Sequence, residues 1–277
     1  MHRPLFRLAR VLYRATPIRP LRQLGFSVYA RLVRSRVVLA DVDGAQYELH
    51  LGEMIDLALY LGQFERDVRS AIRRLTAPGM TVFDIGANVG AHTLLFSSLV
   101  GRTGRVVAFE PTNFGFAKLQ KNVSLNPELS VEAVRVALAD HTSPQQTVNF
   151  RSSWQTDGSM VSGTSTVDFI RLDEWADEHG LSMVDVIKLD VDGYEHSVLA
   201  GGLETVARSR PVFIIEATGQ HFADPARNPF ELLRRSGYGL WDIGGQQPLT
   251  FEAVRARLMD DDPLFSINLI AKPEKAR

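Results

Sequence analysis

Residues 81–90 read TVFDIGANVG, so Asp84 closes a short apolar run and Gly86, Asn88 and Gly90 follow at alternate positions. This turn suits a strand end that meets a ligand, because glycine tolerates positive φ and lets a ligand approach the backbone. The dinucleotide pattern G-x-G-x-x-G and the phosphate loop G-x-x-x-x-G-K-[ST] are both missing. Asp84 is an unfavourable neighbour for a pyrophosphate and a suitable one for an ammonium group. Twenty residues past Gly90, Glu110 ends the next apolar run, RVVAFE. An acid in that place can accept both hydroxyls of a ribose. The ligand so described is a nucleoside joined to an amino acid, without phosphates. A second acidic group follows: Asp190, Asp192 and Glu195 in KLDVDGYE, Glu216 at the end of PVFIIEA, and then His221. Such residues can take a proton from an alcohol. Asp190, Asp192 and Glu216 would also suit Mg2+, since hard cations favour oxygen ligands.

These residues need strand ends to hold them. TVFDI, RVVAFE, VEAVRVALA (131–139), VDVIKLDV (184–191) and PVFIIEA (211–217) are apolar and β-branched, as parallel strands buried on both faces should be. Helix-like stretches over 91–100, 114–125, 194–208 and 229–236 separate them, and YGLWDI (238–243) and LFSINLIAKP (264–273) would complete the sheet. The expected fold is an α/β sandwich with a mainly parallel sheet, whose ligands bind at the carboxyl ends of the strands. Upstream, VVLADVDGAQYELHL (37–51) alternates around Asp-Gly and predicts a β-hairpin. Residues 53–75 carry apolar side chains at helical spacing, as a lid or support. The polar, Ser- and Thr-rich stretch 141–166 reads as an inserted loop, with Trp154 a candidate wall for an acceptor.

S-adenosylmethionine meets the description of the ligand. The segments FDIGANVGAHTL, VVAFEPTNFGFAKLQKNV, VALAD, VDVIKLDVDGYEHSVLAGG and PVFIIEA, in this order over residues 60–272, resemble the FkbM family of class I S-adenosylmethionine-dependent methyltransferases. The resemblance implies a Rossmann-like methyltransferase sandwich with an antiparallel C-terminal strand, occupying 76–277 behind an N-terminal extension of hairpin and helix over 1–75. It implies Asp84, Gly86, Asn88 and Gly90 at the methionine end of the cofactor, Glu110 at its ribose, and Ala139 and Asp140 near its adenine. Members of this kind methylate hydroxyl oxygens of sugars or polyketide-type molecules, so a glycan, glycolipid or small-molecule acceptor is expected. Asp190 is assigned to the active centre, with Asp192 or His221 taking the proton; the alternative role of Glu195 is to cap or charge-stabilise the start of its helix. The chain departs from the family at Asp192, where Glu is common.

Composition removes other classes. Cysteine is absent, which excludes disulfides, zinc–thiolate sites and thiol nucleophiles, including those of cytosine C5 methylation. No PPY segment occurs, and nucleic acid is not expected as a partner. No apolar run approaches the roughly 20 residues of a membrane span, and a cytoplasmic location is expected. Residues 1–40 hold nine arginines and no acid or lysine, leaving 22 basic against 32 acidic residues, a balance of −10, in the remainder. Arg3, Arg7, Arg10 and Arg14 recur among apolar residues as in an amphipathic helix, a pattern that fits peripheral contact with an anionic membrane. A catalytically silent, membrane-associated scaffold is therefore the alternative to an enzyme.

Overall fold

Asp43 and Gly44 adopt φ of 57° and 86°, and the two-residue turn they form matches the twist of the strands it joins. Those strands, β1 (Val37–Val42) and β2 (Ala45–His50), form the expected hairpin. The computed structural model describes residue 33 and residues 35–156, 159–259 and 266–274. The arginine-rich segment over 1–32 thus lies outside the described residues. The stretch read as one helical pattern over 53–75 is two helices, α1 (Met54–Leu61) and α2 (Arg66–Leu75). Gly62, left-handed at φ 70°, closes α1, and its N–H and that of Gln63 cap the last turn.

The main body follows as β3 (Thr81–Ile85), α3 (Thr93–Val100), β4 (Arg105–Phe109), α4 (Asn113–Ser124) and β5 (Val131–Val134). Next come β6 (Ala137–Ala139), β7 (Ser143–Trp154), β8 (Met160–Arg171), α5 (Leu172–Glu178) and β9 (Val186–Leu189). The chain continues through α6 (Glu195–Ala200), α7 (Leu203–Ser209), β10 (Val212–Thr218), α8 (Pro229–Arg235) and β11 (Tyr238–Asp242). It closes with β12 (Pro248–Leu249), α9 (Phe251–Met259) and β13 (Ser266–Pro273). Eight strands form the central sheet in the order β12-β11-β13-β10-β9-β3-β4-β5. Pairings from β10 through β5 are parallel, while β13 runs antiparallel between β10 and β11.

Two expectations need correction. VEAVRVALA is not one strand: β5 stays in the main sheet, while β6 joins β8 and β7 in a separate three-stranded sheet. The polar stretch 141–166 is a long antiparallel hairpin rather than a loop. Its tip reaches the N-terminal segment, where Thr156 N–H donates to Gly52 carbonyl at 2.7 Å. Nothing is described of the Trp154 side chain.

Alternation along the buried strands gives each face its own core. Phe83, Phe109, Ile187, Leu189 and Phe213 face one side with α5 to α8, where Trp175 sits edge-on to Phe83 and Phe109 at 5.8 and 4.8 Å between centroids. Val82, Val106, Val186 and Ile214 face the other, against Val68 and Ile72 of α2 and Phe96 of α3. Sheet order places the site. From β3 the chain moves outward through β4 and β5, then returns for β9 on the opposite side of β3. A crevice opens at such a reversal, above the carboxyl ends of β3 and β9.

Candidate active site

Asp84 on β3 and Lys188 on β9 are register partners on adjacent parallel strands, so their side chains leave the sheet on the same face. Asp84 is fully buried; its Oδ2 accepts from the Thr93 hydroxyl at 2.6 Å, and its Oδ1 lies 3.8 Å from Lys188 Nζ. Lys188 Nζ also donates to Asp190 Oδ2 at 3.0 Å. Burial alone would discharge Lys188, but the carboxylates of Asp190, Asp84 and Glu65 outweigh it and raise the pKa of the ammonium. Lys188 was not singled out from the sequence. The signal was present in KLD, since a lysine two residues before Asp190 on a buried strand lies on the same face as that acid.

The turn after β3 carries Gly86, Asn88 and Gly90 at φ of 82°, 48° and 84°. A Cβ on Gly86 would stand 1.8 Å from the Asp190 carbonyl oxygen. The room that this glycine provides is thus filled by the neighbouring loop, not left for a ligand as the sequence reading expects. Glu110 ends β4 and ties the turn to it: Oε2 accepts from Asn88 N–H at 2.9 Å, while Oε1 accepts from Thr112 N–H and its hydroxyl at 2.9 and 2.5 Å. Burial raises the Glu110 pKa despite these bonds. Oε2 has one such donor among the described residues, so it retains acceptor capacity toward a hydroxyl. Ala139 is buried, and Asp140 is exposed. The Asp140 carboxylate meets His141 Nδ1 at 2.8 Å and the Ser197 hydroxyl at 2.9 Å, contacts that hold its pKa low. Its Ser197 partner lies on α6, not on the glycine turn.

Asp190, Asp192 and Glu216 converge: each offers a carboxylate oxygen within 4.8 Å of the others. Burial and then the Asp190 charge push Glu216 up to about 7, against a hydrogen bond from Ser266. The same two influences, with Glu195, raise Asp192, which holds a left-handed φ of 52°. Such a spacing suits a shared proton or a hard cation. His221 is built differently. Its Nδ1 accepts from Thr218 N–H at 3.1 Å, which leaves Nε2 to donate to Glu195 Oε2 at 2.6 Å, and both residues are buried. Glu195 Oε1 in turn accepts from Val191 N–H at 2.9 Å. His221 therefore steadies the 190–194 loop through Glu195, and neither ring nitrogen is open to a substrate proton.

The site also takes in Glu65, which precedes α2, and His92, whose Nε2 lies 3.3 Å from Glu65 Oε2. Burial pushes Glu65 up to about 7, with Lys188, Asp190 and Asp84 as its charged neighbours. The period-based reading of 53–75 hid Glu65 inside a helix; Gly62 was the available stop signal.

The carboxyls of Asp190, Asp84 and Glu65 thus gather around the Lys188 ammonium, and those of Asp192 and Glu216 crowd against Asp190. An electronegative crevice of this kind fits a ligand carrying positive charge, and the acceptor capacity of Glu110 fits its hydroxyls. The 2-O-methyltransferase NoeI of Sinorhizobium fredii (strain NBRC 101917 / NGR234) is 27% identical over 164 residues, covering 52% of this chain and 66% of that protein, just under two thirds. Among solved structures, methyltransferase FkbM from Methylobacillus flagellatus KT matches at 14% identity and a TM-score of 0.45, covering 91% of this chain and 59% of the other. TYW2 of P. horikoshii in complex with MeSAdo matches at 13% and 0.47, covering 92% and 84%. The fold assignment rests on the strand order itself. The family described as the methyltransferase FkbM domain matches residues 84–240, more than half of the 277, and spans the glycine turn, Glu110 and the converging carboxylates. This chain therefore belongs to the FkbM methyltransferase family.

Proposed function

We propose that the chain is an S-adenosylmethionine-dependent O-methyltransferase acting on a hydroxyl of a sugar, glycolipid or polyketide-type acceptor. The observation that carries this reading is the joining of the glycine turn to Glu110 through the Asn88 amide, at the crevice where the strand order reverses. Membership of the FkbM family supports the reaction class, and the likeness to a 2-O-methyltransferase supports oxygen as the acceptor atom. Bound in the crevice, S-adenosylmethionine supplies an electrophilic methyl group. Glu110 would accept the ribose hydroxyls, Asp84 and the turn would border the methionine end, and Ala139 and Asp140 the adenine edge.

Alcohols need help to lose a proton as the new bond forms. Asp192 and Glu216 suit that task because burial and then crowding with Asp190 raise both, Glu216 to about 7, so that either can hold and accept a proton. Asp190, held by the hydrogen bond from Lys188, would orient the acceptor hydroxyl, and the His221–Glu195 pair would hold the loop. Alignment itself can supply several kcal/mol of the rate enhancement. Mg2+ bound by Asp190, Asp192 and Glu216 is a second reading, favoured by the convergence of their oxygens.

The test is transfer of label from methyl-labelled S-adenosylmethionine to a panel of glycans, glycolipids and polyketide alcohols, with and without magnesium, followed by mass spectrometry. Label on a hydroxyl oxygen, lost by about 100-fold or more in Asp190→Asn, supports the reading. Label on nitrogen or on RNA would overturn it. Turnover that disappears on chelation and returns with magnesium would favour the cation over the shared proton.

A further inference from the structure

Glu65 lies outside the stretch that matches the family, on the short connection between α1 and α2. It holds φ 34° and ψ 59°, a left-handed conformation that a residue with a side chain adopts only where its surroundings enforce it. Those surroundings are firm. Behind Glu65, Val68, Ala71 and Ile72 of α2 are buried against the sheet, and the Arg69 guanidinium donates to the Ala91 carbonyl at 2.8 Å. Beside it, Phe64 packs on the His92 ring with centroids 5.3 Å apart. The carboxylate is thereby held 3.3 Å from His92 Nε2, two residues past Gly90, with Lys188, Asp190 and Asp84 among its charged neighbours.

The charges there do not balance. Lys188 is hydrogen-bonded to Asp190 and lies beside Asp84, whose other oxygen takes the Thr93 hydroxyl. Glu65 has His92 as its one ion-pair partner among the described residues, and burial keeps the pKa of that imidazole well below its usual value, so His92 is neutral. Glu65 therefore lacks a cation of its own. A primary ammonium entering between Glu65 and the glycine turn would supply one.

We propose that Glu65 receives the ammonium group at the amino-acid end of the cofactor, so that the N-terminal extension completes a site the matched segment leaves open. This rests on the reading of the crevice as an S-adenosylmethionine site and adds a binding residue to it. The consequence is selectivity for ligands that carry the amino-acid end over nucleosides that lack it. Carboxylate-to-ammonium contacts are charge-assisted and among the stronger hydrogen bonds.

Calorimetric titrations of wild-type protein and Glu65→Gln with S-adenosylhomocysteine and with 5′-methylthioadenosine, which shares the nucleoside but has no amino-acid end, test the assignment without turnover. Wild type should prefer S-adenosylhomocysteine, and Glu65→Gln should lose roughly tenfold or more of that affinity while binding 5′-methylthioadenosine as before. Unchanged affinity for S-adenosylhomocysteine would overturn the assignment, as would equal weakening of both ligands, the mark of a residue that merely supports the turn. If wild-type protein bound neither ligand, the cofactor reading beneath the proposal would fall. Binding of both ligands by the wild type, with their ratio unaltered in the variant, would remove Glu65 alone.

Discussion

Glu216 has two consequences that can be measured. Its pKa lies near 7 in the folded protein, above the ordinary glutamate value, chiefly through burial and then through Asp190. The folded state therefore binds this proton more tightly than the unfolded chain does, so its contribution to stability is complete below about pH 4.5 and is lost as pH rises through about 7. Thermal unfolding midpoints should fall between about pH 5 and pH 8, and the fall should be shallower in Glu216→Gln. Turnover should show the opposite trend, rising through about pH 7 as the Asp192–Glu216 pair becomes able to accept a proton. An activity profile in which Glu216→Gln keeps the wild-type rise would exclude Glu216 from that pair. Residues that end apolar runs, such as Asp84, Glu110, Asp190 and Glu216, were legible because strand ends face the crevice. His221 was legible as a neighbour of the site but not in its geometry, since its ties to Thr218 and Glu195 depend on the short helical turn over 219–222. Lys188 and Glu65 were missed for different reasons: one lies inside an apolar strand, and the other stands at a break between two helices that the periodic reading of 53–75 ran across.

At the level of elements, the glycine turn and the loop after β9 are built as one unit. The Gly86 position is doubly constrained, by its positive φ and by the Asp190 carbonyl where a Cβ would go. Gly86→Ala should lower stability by at least about 2 kcal/mol and displace the Asp190 loop, so cofactor binding should weaken with it. Chemical denaturation with a ligand titration checks both; a variant with unchanged stability would show that the two loops can separate freely. The strands β3, β4, β9 and β10 were legible because buried parallel strands have an unmistakable apolar signature, whereas α5, β12 and α9 were not named from the sequence. The hairpin of β7 and β8 was misread since its Ser- and Thr-rich faces are half solvated and look like a loop by composition. Residues 194–208 likewise divide into α6 and α7 at Gly201 and Gly202, where a Cβ would strike the Ala139 carbonyl oxygen at 1.9 Å and the Leu172 side chain at 2.7 Å. Close approaches of this kind involve residues distant in sequence, which local periodicity does not register.

Across the whole molecule, the strand order and the N-terminal helices explain why residues from five separate segments share one crevice. β3 and β9 bring Asp84, Lys188 and Asp190 together, β4 adds Glu110, β10 adds Glu216, and the connection between α1 and α2 brings Glu65 to His92, two residues past Gly90. The N-terminal hairpin and helices share their core with the body: Tyr47, Leu49 and Leu57 are buried alongside Val89, Ala91 and Leu94. Glu110 is the joint on which the nucleoside reading turns, because it both anchors the glycine turn and keeps an oxygen able to accept a hydroxyl. The most direct measurement is calorimetric titration of S-adenosylhomocysteine into wild-type protein and Glu110→Gln. Saturable one-site binding by the wild type, weakened by about tenfold or more in the variant, is expected. Absence of binding by the wild type, or equal affinity in the two proteins, would contradict the assignment of this crevice to the cofactor.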